Sequence, residues 1–341
     1  MTTSLLVGKL PPPLLPRLLA QAPCRDPRVR LGPGLGLDCA VVEASDRLLV
    51  FKSDPITFAT ADIGWYAVQI NANDIATTGA TPRWFLSTLL LPEGQTTVDL
   101  VEQISGQIYQ ACRDLEIAVI GGHTEISHGL NRPILLGTLI GEVEPARLVT
   151  PQGARPGDHL LLTKGVPIEA TAILAREFPE RAGQVLSLIE LAQAQAFIYQ
   201  PGLSVLPEAQ LALAAGRVTA MHDPTEGGLA SALWELAEAS GHTLVVDPAT
   251  VPIPELSARL CRLFGLDPLA AIASGALLLA VAAADAATIQ QALRANGIPC
   301  ADIGQVEPGP ATVWCRTATG RVAFSRPDRD EIARVFENEE T

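Results

Sequence analysis

Four short polar stations separate hydrophobic runs in the first 125 residues: Gly34-Leu35-Gly36-Leu37-Asp38, Lys52-Ser53-Asp54, Asn73-Asp74 and Gly121-Gly122-His123-Thr124-Glu125. Each falls at the edge of a predicted strand or within the helix that follows one. Three carry an aspartate and two are glycine-rich. Carboxylates at separate strand ends suit a magnesium-bridged polyphosphate, because Mg²⁺ takes hard oxygen ligands and usually keeps one or two protein carboxylates. Glycine lets backbone N–H groups approach phosphate oxygens. No G-x-x-x-x-G-K-[ST] sequence occurs, which excludes a P-loop. Nor is Gly32-Pro33-Gly34-Leu35-Gly36 a dinucleotide fingerprint, since no strand–G-x-G-x-x-G–helix unit surrounds it.

Each residue has a plainer reading beside the chemical one. Asp38 either closes the turn after Gly36 or contacts metal or phosphate. Asp54 precedes Pro55, where an aspartate commonly starts a turn, or it is a ligand. Asp74 lies inside a predicted helix, where aspartate is a poor former, so a buried acid there needs a partner. His123 is a structural histidine, a phosphate contact or an acid–base group; Glu125 is solvated or capping. The only lysines are Lys9, Lys52 and Lys164. Lys52 and Lys164 are exposed surface groups or phosphate ligands. Thr225 with Gly227-Gly228 opens a helix, which Thr225 caps and whose N-terminus suits an anion. His222 and Asp223 are candidates for the substrate side.

The elements that must position these groups follow from periodicity. Cys39–Val42 and Leu48–Phe51 read as strands, Ile63–Thr78 as a helix stopped by Gly79, and Trp84–Leu91 as a strongly apolar strand. Thr96–Glu116 is the clearest amphipathic helix, with Thr96 and Asp99 resembling a capping box. Ile117–Ile120 reads as a short buried strand running into a Gly121-Gly122 turn, and Ile134–Val143 as another strand. The polar, turn-rich segment 151–158 marks a domain boundary, giving domains 1–150 and 151–341. Beyond it come a strand at 160–163, helices to about 214, a strand at 217–221, a helix at 227–240 and a strand at 243–246. Helix 255–264, strand 276–282, helix 285–296, strands near 301–306, 311–317 and 321–325, and helix 328–336 complete an α/β reading.

The chain has 341 residues, 48% hydrophobic and 18% charged, with net charge −13. That length allows two domains with their own cores. The acidity argues against nucleic acid as a partner. A bound Mg²⁺ would compensate it for an anionic small molecule. Six scattered cysteines without a C-x-x-C pair point to a reducing compartment and no zinc site. No leader sequence is visible and the longest apolar stretch, 275–284, is too short to span a bilayer, so the expectation is a cytoplasmic protein without a membrane partner.

Five stretches together resemble the AIR synthase-like superfamily of ATP-using enzymes, which includes thiamine monophosphate kinase, selenophosphate synthetase and the hydrogenase maturation factor HypE. Gly36-Leu37-Asp38-Cys39-Ala40-Val41 resembles the family's G-D-D-A-A-V turn, and Ser53-Asp54 its T-D pair. The run from Asn73 to Pro82 is similar to its N-D-[IL]-A-x-x-G-A-x-P helix exit. Gly121-Gly122-His123-Thr124 resembles its G-G-[DH]-T turn, and the run from His222 to Leu229 follows H-D-P-T-x-G-G-L of the HypE branch. Leu37 stands where the family has its first acid.

The resemblance implies an AIR synthase-like two-domain fold, with an N-terminal α/β half that dimerises through its sheet and a C-terminal α/β half. It implies ATP and Mg²⁺ as cofactors, a small-molecule substrate and a homodimer. By position Asp38, Asp54 and Asp74 would hold metal. Lys52, Asn73, Gly121, Gly122, Thr124, Lys164, Thr225, Gly227 and Gly228 would lie on the nucleotide side, with His123 and Asp223 as acid–base candidates. The implied activity is phosphorylation of an oxygen on a small substrate. A thiamine monophosphate kinase-like enzyme and a nucleotide-binding assembly protein without turnover are the alternatives. HypE proteins end in a cysteine that becomes a thiocyanate; here the last cysteine is Cys315, so the chain is expected not to cyanate itself.

Overall fold

A computed structural model describes residues 14–23, 26–34, 37–56 and 61–339. Leu35 and Gly36 of the first polar station, Cys24 and the last two residues lie outside that set. The chain divides into two compact units. One holds Cys24–Gly32 and Asp38–Leu148, and the other Val149–Thr341 with the segments 1–23 and 33–37. Among the described residues no helix is long and apolar enough to cross a membrane.

A five-residue helix, α1 (Leu15–Leu19), precedes the first sheet. That sheet contains β1 (Val29–Leu31), β2 (Ala40–Ala44), β3 (Arg47–Ile56), β4 (Thr81–Pro92), β5 (Ala118–Ser127) and β6 (Ile134–Val143) in the order β1-β2-β3-β6-β4-β5. All neighbours are antiparallel except β4 and β5. Helix α2 (Ile63–Thr77) packs on β3, β6 and β4, and α3 (Val98–Asp114) packs on α2. Every residue of α2 except Trp65 is consequently buried, including Gln69, Asn71, Asn73, Asp74 and Thr77. A helix covered all round normally has apolar residues all round. The polar row on α2 is therefore the first structural sign of function.

Strand β6 alternates strictly between buried and half-buried positions, the period-2 pattern of a sheet with one covered face. Its buried positions include Gly137 and Gly141, which allow α2 to close on the sheet. A Cβ on Gly137 would stand 2.5 Å from Asn71 Nδ2 and 2.9 Å from the Phe85 ring.

Three local expectations change. The strand expected to stop at Phe51, with Asp54 as a turn or a ligand beyond it, runs on: residues 52–56 continue β3 and pair with β6. β2 ends opposite Phe51, so Pro55, which has no N–H to give, meets no ladder on that side. The cap of α3 is Thr97, whose side chain accepts from Leu100 N at 3.2 Å, whereas Thr96 donates to Pro92 O. Finally, 118–127 is neither a buried strand nor a glycine turn. It is one continuous strand at the sheet edge, exposed from Ala118 to Ile126.

The second sheet contains β7 (His159–Thr163), β8 (Val218–His222), β9 (Thr243–Val246), β10 (Leu278–Val281), β11 (Cys300–Glu307), β12 (Thr312–Thr317) and β13 (Gly320–Ala323). Its order is β13-β12-β9-β11-β7-β10-β8. The interleaved helices are α4 (Ile168–Glu177), α5 (Pro179–Ala182), α6 (Leu188–Gln195), α7 (Leu206–Ala215), α8 (Gly228–Ser240), α9 (Glu255–Phe264), α10 (Ala286–Ala295) and α11 (Ala333–Glu339). Leu229, Leu233 and Leu236 of α8 pack on Leu160, Leu162 and Leu278 from the central strands. A separate cluster joins α4, α6 and α9 through Leu174, Ala194, Leu260 and Phe264.

The close approach at Gly137 predicts that Gly137→Ala costs about 1–3 kcal/mol in urea unfolding. Gly106, exposed in α3 with nothing within 4 Å of its Cβ position, serves as contrast: Gly106→Ala should gain about 0.5–1 kcal/mol.

Candidate functional site

Past Phe51, β3 is paired only with β6, and this free stretch carries Lys52 and Asp54 toward α2. Asn71 fastens the two elements together. Its Oδ1 accepts from Asp54 N at 3.1 Å, and its Nδ2 donates to Ala67 O at 2.8 Å. One turn further along α2 come Asn73 and Asp74, both buried. Lys52 Nζ then lies 3.0 Å from Asp54 Oδ2 and 3.1 Å from Asp74 Oδ2. Burial works against the Lys52 charge. The carboxylates of Asp74, Asp54 and Asp38 outweigh it and hold the ammonium pKa well above its ordinary value.

Three carboxyl groups act on this one ammonium. All three are hard oxygen donors, and Asp54 is 37% exposed, so a cation from solvent can reach it. Asp38, Asp54 and Asp74 therefore fit a small divalent cation in donor chemistry. Lys52 is not the exposed surface group that one reading made it: its side chain is largely buried between Asp54 and Asp74.

The glycine-rich station is elsewhere in the same unit. Gly121, Gly122, His123 and Thr124 lie on β5, opposite Leu86, Ser87, Thr88 and Leu89 of β4. Since β6 and β4 stand between β3 and β5, the station is displaced from Lys52 by roughly 14 Å at ordinary strand spacing. Gly122 is required by the ladder itself, because a Cβ there would meet Ser87 O at 2.1 Å. His123 Nε2 is 3.0 Å from Glu125 Oε2, and Ser127 donates to Glu125 Oε1 at 2.8 Å. The Glu125 carboxyl is lowered by the hydrogen bond with His123 and then by that of Ser127.

In the C-terminal unit, β8 ends at His222, whose Nε2 is 2.7 Å from Glu235 Oε2 on α8; Asp223 follows, buried. The α8 entry differs from expectation. Its N-cap is Gly227 in the left-handed region, and Gly228 N donates to the Thr225 carbonyl at 2.9 Å. Gly227 N donates to Asp330 Oδ2 at 2.6 Å, more than a hundred residues along the chain. Lys164 points inward: its Nζ donates to Gly202 O at 3.1 Å and Ser204 O at 2.6 Å, and lies 2.7 Å from Glu208. Burial pulls its pKa down, against the pull of Glu208.

Sequence reading passed over Asn71, Glu208, Glu235, Glu169 and Asp330. Glu169, on the first turn of α4, is buried with its pKa pushed up to about 8, chiefly by burial. Asp330 is likewise pushed up to about 6 by burial. Polar residues in the buried α2 row gave one available signal for Asn71; nothing local distinguishes the glutamates from surface acids.

The two raised carboxyls set a pH dependence. Between the ordinary values of 4.5 and 3.8 and the folded values of about 8 and about 6, the native state binds more protons than the unfolded chain. Stability therefore falls as pH rises through that window. Scanning calorimetry from pH 5 to 8 should show a falling Tm. Glu169→Gln should flatten the slope and raise Tm at pH 8, by about 2–4 °C per kcal/mol relieved.

Residues 36–143 match the family model described as AIR synthase related protein, N-terminal domain, and residues 155–315 match its C-terminal domain. Carbamoyl dehydratase HypE of Cupriavidus necator is 32% identical over 293 residues, covering 82% of this chain and 77% of the relative. The same-named protein of Rhodobacter capsulatus is 30% identical, covering 83% and 82%. Among solved structures, the hydrogenase maturation protein HypE in complex with ATP superposes with a TM-score of 0.69 at 27% identity, covering 82% of this chain and 85% of that one. Thiamine monophosphate kinase of Aquifex aeolicus shares the fold, with a TM-score of 0.64 at 21% identity over 82% and 91%. With the two-sheet architecture and the acid-bearing β3–α2 junction, these matches place the chain in the AIR synthase-related family, with its two-domain α/β fold.

Proposed function

We propose that the protein is an ATP- and Mg²⁺-dependent enzyme that phosphorylates an oxygen of a small substrate and so turns it into a leaving group. The observation that carries this reading is the Lys52–Asp54–Asp74 junction with Asp38 beside it. The ATP complex of the HypE relative supports it. Asp38, Asp54 and Asp74 would hold the Mg²⁺, which neutralises polyphosphate charge when bound. Lys52 keeps Asp54 and Asp74 from repelling each other, so that the acids stay in place. On the acceptor side, Glu235 orients the His222 ring, and Asp223 lies next to it in sequence.

The glycine station supports a homodimer. The face of the first sheet opposite α2 presents half-exposed Leu49, Phe51, Trp84, Leu86, Leu90, Leu136 and Ile140. The edge strand β5 adds exposed Val119, Ile120 and Ile126. An apolar face and a long open edge of this kind are surfaces that association buries. A second copy seated there would bring its own Gly121, Gly122 and Thr124 toward a shared nucleotide.

A nucleotide-binding assembly role without turnover is favoured by one observation, Leu37 in place of an acid. ATP hydrolysis measured with and without Mg²⁺ across a metabolite panel separates the two readings. No stimulated turnover would favour the second.

Calorimetry of ATP with Mg²⁺ should give at least about a tenfold loss for Asp74→Asn, or roughly 1.4 kcal/mol. Unchanged affinity in a folded variant would remove Asp74 from the site. Light scattering at micromolar concentration should give a dimer for the parent chain and a monomer for Ile120→Lys. A monomeric parent would refute the sheet-mediated pairing.

A further inference from the structure

The turn between β8 and α8 is pinned at both ends. At its start, His222 Nε2 lies 2.7 Å from Glu235 Oε2 on α8. At its end, Gly227 N donates to Asp330 Oδ2 at 2.6 Å, and Gly228 N donates to Thr225 O at 2.9 Å. Both glycines have left-handed backbone, with φ of 78° and 59°. At the second a Cβ would also stand 2.5 Å from Ala271 O and 2.7 Å from Leu269 O. Two consecutive glycines leave a turn freer than any other pair and lose the most freedom when they are fixed. The glycines permit this conformation, and a contact from outside the turn has to hold it.

That contact belongs to a strap, residues 324–336, which is fastened to α8 at two points before it reaches the turn. Trp234 Nε1 donates to Phe324 O at 3.1 Å, and Arg326 donates to Glu238 Oε1 at 2.7 Å. Asp330 follows. Its Oδ1 accepts from Ile332 N at 2.8 Å, and the Ile272 N–H bonds to the same carboxyl. Glu331 N donates to Ala270 O at 3.2 Å, and Ala230 N of α8 to Leu269 O at 2.8 Å. Beyond Asp330, Ile332 and Val335 are buried in the cluster of α4 and α9, and the Phe336 ring lies 5.2 Å from that of Phe178. Asp330 therefore joins three segments, and the strap that carries it is anchored on both sides. A helix cap needs only one local side chain; here the acceptor stands 103 residues from the N–H it binds.

We propose that Asp330 is a positioning residue for the β8–α8 turn: by holding Gly227 it fixes residues 223–227 and so sets where Asp223 and Thr225 stand. The inference rests on the reading above that this turn serves the acceptor and the nucleotide. Only residues 223–227 separate His222 from Gly228, and Pro224 fixes one φ among them. A pin at Gly227 therefore leaves Asp223 and Thr225 little room to move. An isosteric amide does not replace the carboxylate, because its NH2 end would face the N–H of Gly227 or of Ile332. Charge adds to the grip, since an N–H bonds more strongly to a carboxylate than to a neutral acceptor. Asp330 acts through the Gly227 backbone.

The test compares Asp330→Asn with Ile173→Val, a change buried in the α4–α9 cluster that only thins the core. In hydrogen exchange of the full chain, Asp330→Asn should speed exchange at residues 225–230 by at least about tenfold while β7 exchanges as in the parent. Ile173→Val should leave residues 225–230 unchanged. In calorimetry well below Tm, Asp330→Asn should weaken ATP–Mg²⁺ binding by at least about fivefold, whereas Ile173→Val keeps the parent's affinity although its Tm falls. An Asp330 that serves stability alone would lower Tm and leave the affinity of the folded protein unchanged. That result, or unaltered exchange at residues 225–230, overturns the proposal. On the parent alone, saturating ATP–Mg²⁺ should slow exchange at residues 223–228 further. No change there also overturns it, so the test stands even where Asp330→Asn fails to fold. A parent that binds no ATP–Mg²⁺ removes the site reading and with it the role of the turn; equal binding by the parent and Asp330→Asn removes the positioning alone.

Discussion

A buried ammonium among carboxylates organises the N-terminal half. Lys52 sits where β3 has lost one neighbour and α2 is covered on every side. Its ammonium lies between Asp54 and Asp74 and offsets the repulsion of two nearby carboxylates. With it, the acids have a cationic partner, and the polar row on α2 is tolerated inside a helix that otherwise belongs to the core. Asn71 and Gly137 serve the same end: one ties strand to helix, the other removes the side chain that would hold them apart.

The C-terminal half handles buried charge in two opposite ways. Lys164 is matched by Glu208 and two carbonyls, so its hydrogens are consumed and it acts as a staple on the 202–204 loop. Glu169 receives no matching cation, and burial moves its proton affinity instead. A matched pair fixes structure.

Cysteine chemistry contributes little to either half. Cys112, Cys261 and Cys300 are buried, and burial pushes each thiol up to about 12, away from the reactive thiolate. Cys39 is used as a hydrogen-bonding group, its thiol donating to Asp74 O at 3.3 Å. The chemistry supported by this fold is that of charge positioned on rigid elements.

Much of this was legible in the residues because it depends on local periodicity. Ile134–Val143, Thr243–Val246 and Glu255–Phe264 occur as read, since alternation and amphipathic spacing express themselves within a few residues. Asp38, Asp54 and Asp74 could be singled out because acids beside apolar strands need a reason. What remained hidden was set by distant partners. Gly121-Gly122 reads as a turn until β4 pairs with it along its length, and the glycine is needed for Ser87 rather than for curvature. The α8 entry reads as a Thr225 cap, while the Gly227 N–H there is taken by Asp330 from more than a hundred residues away. Glu169 and Glu208 look like surface glutamates, because burial is a property of what packs over a side chain. The sequence by itself determined the elements and the acids of the β3–α2 junction. Only the tertiary structure decided which acids are neutralised, which keep their proton, and which lie on an open edge, since electrostatic energy depends on distance and burial, which chain order does not contain.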